Sequence, residues 1–393
     1  MKSQEAWLLP EGIEELLPEQ AQQLEALRRE LIDQMRSWGY QLVMPPFVDF
    51  LDSLLTGMGN DLTLQTFTLT DQISGRQMGI RADMTPQIAR MDAHQLKKDF
   101  PNRLCYLGPV LRTRSDDFAA SRSPIQCGAE LYGSSSINSD IEIIRLMLAT
   151  LNKTGITDVY LDLAHVGIYR GLANQAGLDA DREAQLFEVL QRKAIPELEA
   201  MLADWSLDKN VSDMLRALVD LNGDVDVIET AKQKLASADQ SVLDALDHLA
   251  GIAQALQALT PETRLFVDLA ELRGYHYHNG VMFSAYLAGQ GQAIAWGGRY
   301  DNIGKDFGQA RPATGFSTDL NCLLEMANTS TQTQMAIFAP SDNDVALLSA
   351  IAKLREAGEC VIVELPEQVG TAAELGCDRK LVMNNDCWEV VAL

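Results

Sequence analysis

Three short segments carry side chains able to grip a small charged molecule. In IRADMTP, Asp83 and Thr85 lie two residues apart, so an extended backbone points them the same way. Taken alone the pair suits a helix cap, with Thr85 as the N-cap and Pro86 as the first helical residue. In PIQCGAELYG, Gln126, Gly128 and Glu130 share one face of a strand, and Cys127, Ala129 and Leu131 share the other. The second set reads as core. The first sets an amide and a carboxylate on either side of a residue with no side chain, a concavity where a ligand could approach the backbone. A solvated strand face has the same alternation. In LRGYHYHNG, Arg273, Tyr275 and Tyr277 alternate with His276 and His278, although such residues are also good strand formers. The glycines of WGGRYD, Gly297 and Gly298, offer a second close backbone approach, and Arg112 stands at the end of the strand in RLCYLGPVLRTR.

The chemistry of this set is that of a zwitterion site. Carboxylates at Asp83 and Glu130 suit an ammonium group. Arg112 or Arg273 suits a carboxylate, which a guanidinium holds through two parallel hydrogen bonds. The combination describes an amino-acid pocket better than a phosphate pocket, and no Walker-type or Rossmann-type glycine loop is present. His276 and His278 have nothing nearby to complete a ligand set, and the six cysteines form no C-x-x-C pair. No metal or cofactor is expected, and the cysteines read as buried reduced thiols.

The elements that must position these residues follow from periodicity. Pro18 opens a helix in which Leu24, Leu27, Leu31, Met35 and Trp38 recur every three or four residues, and Gly39 ends it. A strand interrupted by Pro45 and Pro46 follows, as suits an edge or an interface. TFTLT and RQMGIR form a hairpin about Ser74-Gly75, and the helix from Thr85 runs to about Lys98. RLCYLGPVLRTR and SPIQCGAELYG are two strands joined by the polar loop SDDFAASRS. A helix over 140–153 and the strand DVYLDLA come next. From about 171 to 260 the period is helical almost throughout, without strand signals, which reads as a helical insertion. Strands resume at RLFVDLA, GVMFSAY and QAIAWGG, and a helix runs from Asp319 to about Ala327. NTSTQTQ reads as a linker. Beyond it, MAIFAP, a helix over 344–357, CVIVEL, a short helix, KLVMNN and WEVVAL alternate as a small α/β lobe.

The whole chain limits what such a pocket can serve. Its 393 residues allow two or three domains. A net charge of −23 with no concentrated basic patch argues against nucleic acid. No apolar run approaches a membrane span and the first residues have no signal-peptide pattern. A cytoplasmic protein is expected, with no membrane contact.

The long motifs resemble a known family. GIRADMTPQIAR, NRLCYLGPVLRTR, SPIQCGAELYG, LRGYHYHNGVMF, WGGRYDNI and the opening LPEGIEELLP are similar, in order over residues 1–327, to segments of histidyl-tRNA synthetase. The resemblance implies an α+β fold: a class II synthetase-like antiparallel sheet flanked by helices. Domains are expected at 1–327, with the insertion about 171–260, and at 333–393. The departures point away from synthesis. Where the third class II motif carries Glu and Arg, this chain has Asn321 and Cys322, and a cysteine cannot stabilise a growing pyrophosphate charge. Asp116 and Asp117 stand in a loop that is basic in the synthetases, and the signature Tyr-Tyr becomes Tyr277-His278.

That pattern resembles the regulatory subunits of short-form ATP phosphoribosyltransferase. The resemblance implies a non-catalytic subunit that partners a small catalytic subunit, activates it, and mediates feedback inhibition by L-histidine in the first step of histidine biosynthesis. It implies a histidine site made of Asp83, Thr85, Arg112, Gln126, Glu130, Arg273, Tyr275, Tyr277 and His278. Asp83 with Gln126 or Thr85 would hold the ammonium, Arg112 the carboxylate, and Glu130 with the Tyr277 region the imidazole. It also implies a homodimer or larger assembly within a hetero-oligomer, formed through the first helix and the Pro45-Pro46 strand. The alternatives are an active histidyl-tRNA synthetase and a histidine-binding paralogue with another partner.

Overall fold

The structure is a computed structural model. It describes all residues except 1–6, 57–59, 116–120, 273–276, 309, 328–334 and 386. The chain divides into two compact units, Met1–Thr329 and Ser330–Leu393.

Among the described residues, the larger unit contains strands β1 (Gln41–Leu42), β2 (Val48–Phe50), β3 (Phe67–Thr70), β4 (Gln77–Ile80), β5 (Asn102–Pro109), β6 (Ile125–Tyr132), β7 (Val159–His165), β8 (Asn222–Gly223), β9 (Arg264–Asp268), β10 (Val281–Leu287), β11 (Ala293–Arg299) and β12 (Ala313–Asp319). Nine of them form one sheet in the order β1-β5-β6-β12-β11-β10-β7-β9-β8. The run from β5 to β7 is antiparallel throughout. β1 and β9 join it in parallel. A separate antiparallel sheet, β2-β4-β3, carries the hairpin, with Phe67 opposite Ile80 and Leu69 opposite Met78. The two prolines thus mark where one extended segment leaves the main sheet and enters the small one.

The two faces of the main sheet are covered unequally, and period-two alternation decides which residue meets which cover. Cys127, Ala129 and Leu131 of β6 enter the main apolar core with the helices Pro18–Ser37, Ile137–Lys153, Val166–Gln175 and Gln240–Leu259. The helical segment between β7 and β9 is continuous with that core, since Leu186, Leu198, Leu215 and Leu246 belong to the same cluster. It also contributes the two-residue strand β8, paired with β9, so it is not free of strand. The opposite face carries a smaller cluster of Met84, Ile88, Leu104, Tyr106, Tyr132, Tyr300 and Phe307. That face is where the polar residues of β6 point.

Local structure departs from the sequence reading at β12 and in the helix after Asp83. β12, lying between β6 and β11, was not anticipated, because ATGFSTD mixes small and polar residues on both faces and has no apolar alternation. The helix after Asp83 begins with Met84 at the N-cap position and Thr85 inside, as Thr85–Arg90. It continues as a π-helix, Met91–Leu96, which ends on Lys97 in the left-handed conformation. The buried Asp92 within that π-helix accepts from Arg311 at 2.8 Å and from Asn102 at 2.8 Å.

The smaller unit is an α/β lobe. β13 (Ala336–Ala339), β14 (Val361–Val363), β15 (Cys377–Asn384) and β16 (Cys387–Ala392) form a sheet in the order β14-β13-β15-β16, with the helix Val345–Glu356 between β13 and β14. Ile337, Leu347, Ile351 and Leu381 form its core. Turns occupy the connection between β14 and β15, where a short helix was expected. Pro366, Gly370 and Gly376 interrupt it too often for a helical nucleus to extend. The linker NTSTQTQ lies outside the described residues.

Candidate functional site

β6 supplies the centre of the site. Gln126 and Glu130 are 4 % and 2 % exposed, so the face they occupy is covered and is not a solvated strand face. Glu130 Oε1 accepts from the Tyr106 hydroxyl at 2.9 Å and the Thr85 hydroxyl at 3.2 Å. Its Oε2 accepts from the Tyr300 hydroxyl. Burial pushes the Glu130 carboxyl up to about 8, with the charge of Asp83 adding to the rise and the hydroxyl donors opposing it. A carboxylate here is therefore costly, and only directed donors hold it.

Thr85 explains its own misplacement. A hydroxyl spent on a helix cap satisfies one backbone N–H, whereas here it binds a buried carboxylate, a stronger hydrogen bond. Asp83 takes over the local role and accepts from the Thr85 N–H at 2.8 Å.

A second polar group lies at the rim. Gln126 donates Nε2 to Asp83 Oδ1 at 3.0 Å and to the Ser317 hydroxyl at 3.3 Å, while its Oε1 accepts from the Met84 N–H at 2.8 Å. Its amide is thus fixed in orientation. Asp83 is half-buried. Arg112 lies past the end of β5, bridged to Thr66. Its Nε donates to the Ala82 carbonyl at 3.4 Å, and its charge partly offsets the burial that pushes Asp319 up to about 6.

Aromatic rings close the site. Tyr277 stacks on Tyr300, with centroids 4.8 Å apart and planes at 26°. The Tyr277 hydroxyl is buried beside Tyr300. His278 packs edge-on against Tyr277 at 5.1 Å. Arg273 and Tyr275, like Asp116 and Asp117, lie outside the described residues. Asp83, Thr85, Gln126, Glu130 and Tyr277 are thus brought to one region of the sheet face, with Arg112 and His278 flanking it.

The glycines do something other than admit a ligand. A Cβ at Gly128 would lie 2.5 Å from the Tyr106 hydroxyl, and one at Gly298 would lie 2.6 Å from His278 Cδ2. One at Gly297 would strike Phe283. The room they leave is filled by the protein's own side chains and by backbone carbonyls of the neighbouring strands, those of Phe316, Gly315 and Val281.

Sequence reasoning missed Tyr106, Tyr132, Tyr300, Ser317 and Gly315. Tyr106 had a usable signal: a polar-tipped ring in an apolar strand, whose hydroxyl would be buried and would need a partner.

The place of the third synthetase motif is not cationic. Asp319 caps the helix Leu320–Met326 and also accepts from the Ile125 N–H at 3.0 Å. The Cys322 thiol is pushed up to about 11, first by burial and then by Asp319 and Glu325. Its sulfur lies 3.9 Å from that of Met326. A neutral thiol beside two acids offers nothing to a triphosphate.

Known proteins carry the same arrangement of sequence. Residues 12–323 match the histidyl-tRNA synthetase family, and residues 334–391 match the C-terminal domain of the ATP phosphoribosyltransferase subunit HisZ. The chain is 56 % identical to the ATP phosphoribosyltransferase regulatory subunit of Thioalkalivibrio sulfidiphilus, covering 98 % of both chains. The chain belongs to the family of ATP phosphoribosyltransferase regulatory subunits. The regulatory subunit of Pseudomonas syringae pv. syringae is 51 % identical over the full length of both chains. Among solved structures, one described as an ATP phosphoribosyltransferase regulatory subunit/histidyl-tRNA synthetase from Bacillus halodurans aligns with a TM-score of 0.82 at 25 % identity, covering 93 % of this chain and 95 % of that one. A histidyl-tRNA synthetase from Nostoc sp. PCC 7120 has the same fold, with a TM-score of 0.77 at 18 % identity, over 98 % of this chain and 97 % of that one. As a member of the regulatory-subunit family, the chain is a non-catalytic subunit built on a class II synthetase-like α+β fold. Among the described residues no helix is long and apolar enough to cross a membrane.

Proposed function

We propose that this subunit binds free L-histidine on the β6 face and, docked on the catalytic subunit of short-form ATP phosphoribosyltransferase, activates it and makes it sensitive to feedback inhibition by histidine. Asp83, oriented with Gln126 and Thr85, holds the ammonium group; Arg112 and Arg273 take the carboxylate; Glu130, together with Tyr275, Tyr277 and His278, reads the imidazole. The work is done in the cytoplasm, by a homodimer or larger assembly within a hetero-oligomer. Residues 1–327, with their helical insertion about 171–260, and residues 333–393 act as its domains.

The observation that carries this reading is a buried carboxylate held by three hydroxyl donors next to a second, half-buried carboxylate fixed by an amide. Two acidic groups behind aromatic walls favour a ligand with both an ammonium and a ring N–H donor: burial keeps Glu130 protonated near neutral pH in the empty site, and a cationic ligand stabilises its carboxylate. Regulation needs no catalytic residue in this subunit. Histidine has only to bind one arrangement of the complex better than another.

Isothermal titration calorimetry tests the site, with histidine giving saturable one-site binding and alanine or histidinol binding at least tenfold more weakly. ATP–pyrophosphate exchange is run beside it. Histidine-dependent exchange by the pure protein would replace this reading with a working synthetase.

A further inference from the structure

Gly315 lies in β12 directly opposite Glu130 of β6. Its backbone has no positive φ, so no conformational demand explains a glycine there. The reason lies on the face of the sheet. The space where its Cβ would stand is occupied by Glu130 Oε2, with the Glu130 Cδ 2.5 Å away. A long acidic side chain on a strand would otherwise rise away from the sheet toward solvent. Here it folds flat across the neighbouring strand, and Thr85, Tyr106 and Tyr300 hold it from three sides. Those three residues come from three separate parts of the chain. Their hydroxyls can converge only if the carboxylate stays low on the sheet. Tyr300 is stacked beneath Tyr277, so its hydroxyl cannot follow a carboxylate that has moved.

We propose that Gly315 is the positioning residue of the ligand site: its missing side chain is the seat of the Glu130 carboxylate, and Thr85, Tyr106 and Tyr300 lock that carboxylate there as an acceptor for a ring N–H of the ligand. The last clause rests on the histidine reading above, whereas the seat itself does not. Any side chain at 315 lifts the carboxylate off its donors. The position therefore decides whether this face recognises an N–H donor or only offers an apolar aromatic wall.

The test is a compensation experiment. Gly315→Ala lowers histidine affinity by about 30-fold or more, since displaced charge-assisted hydrogen bonds are lost together. Glu130→Asp alone also weakens binding. Shortening the side chain by one methylene draws the carboxylate back by about 1.5 Å, the length of one C–C bond, and makes room for the added methyl. The Gly315→Ala/Glu130→Asp double variant therefore binds histidine better than Gly315→Ala. A fold merely damaged at β12 gives a double variant that binds no better, or worse.

A ligand-free readout accompanies it. The near-UV tyrosine difference spectrum of Gly315→Ala against the parent matches that of Glu130→Ala, and the double variant returns toward the parent. If the wild-type protein does not bind histidine, the functional reading fails while the spectra still decide the seat. Parent-like affinity and parent-like tyrosine spectrum in Gly315→Ala, or a double variant no closer to the parent than the single, overturns the proposal.

Discussion

Arg299 and Tyr300 are consecutive residues that serve opposite faces of the main sheet. Arg299 donates Nη2 to Asp140 at 3.0 Å on the helix-covered side, and Tyr300 donates its hydroxyl to Glu130 on the other. One end of β11 thus ties the Glu130 carboxylate to the helical layer. Asp140, fully buried at the start of the helix Ile137–Lys153, is also met by His248 Nε2 at 3.4 Å, from the helix Gln240–Leu259.

Removing Asp140 takes the fully buried carboxylate from Arg299 and leaves it paired with the part-exposed Asp301. Asp140→Ala is expected to cost about 3–5 kcal/mol of stability. Thermal or urea unfolding measures it, and a loss below about 1 kcal/mol would show that water reaches the pair.

Glu130 makes stability fall with rising pH. Its folded value, about 8, lies above its ordinary value of 4.5, so between the two the native state holds a proton that the unfolded chain has released. Stability is greatest below 4.5 and declines by roughly 3 kcal/mol by pH 7 from this group. Asp319, raised from 3.8 to about 6 chiefly by burial, adds a decline in the same direction between those values. Glu130→Gln removes the first contribution. Urea midpoints at pH 5 and pH 7.5 should therefore differ less in that variant than in the parent, and equal differences would contradict the assignment.

Asp83→Asn keeps the shape of the rim and removes its charge. The Gln126 and Thr85 contacts survive on an amide oxygen, but the ammonium partner is lost. Histidine affinity should fall about 10–100-fold, the worth of a charge-assisted hydrogen bond, with the melting temperature nearly unchanged. Calorimetry and thermal unfolding separate the two effects.

The cysteines should react in two classes. Cys360 and Cys387 are exposed, whereas Cys105, Cys127 and Cys377 are buried. Burial pushes Cys105 up to about 11 and Cys127 up to about 12. Because thiolates are the reactive form, iodoacetamide at neutral pH should label Cys360 and Cys387 first, with Cys322 slow and the buried three protected until unfolding. Mass spectrometry of timed digests reads the order.

Much of this was legible in the sequence because β6 is a strand whose two faces differ sharply. Alternation alone put Gln126 and Glu130 together and Cys127, Ala129 and Leu131 in the core. The hairpin and the first helix were legible through Ser74-Gly75 and Pro18. What stayed hidden depends on contacts between distant segments. No local pattern shows that Gly128 is matched by Tyr106, or Gly315 by Glu130, because each pair is set by sheet register. Thr85 was read as a cap because its strongest partner, Glu130, is 45 residues away in sequence. β12 escaped because a strand buried on both faces and made of Thr, Gly, Phe and Ser has neither period.

On the function proposed above, Glu130 senses histidine on behalf of the catalytic subunit. The most direct measurement is turnover of the short-form catalytic subunit, reconstituted with this chain, as histidine is titrated. With the parent chain, activity should rise on reconstitution and then fall as histidine saturates the site. With Glu130→Gln, activation should persist while the histidine inhibition curve moves at least tenfold to higher concentration. An unchanged inhibition curve with Glu130→Gln, or no change in turnover on adding the parent chain, would contradict the account.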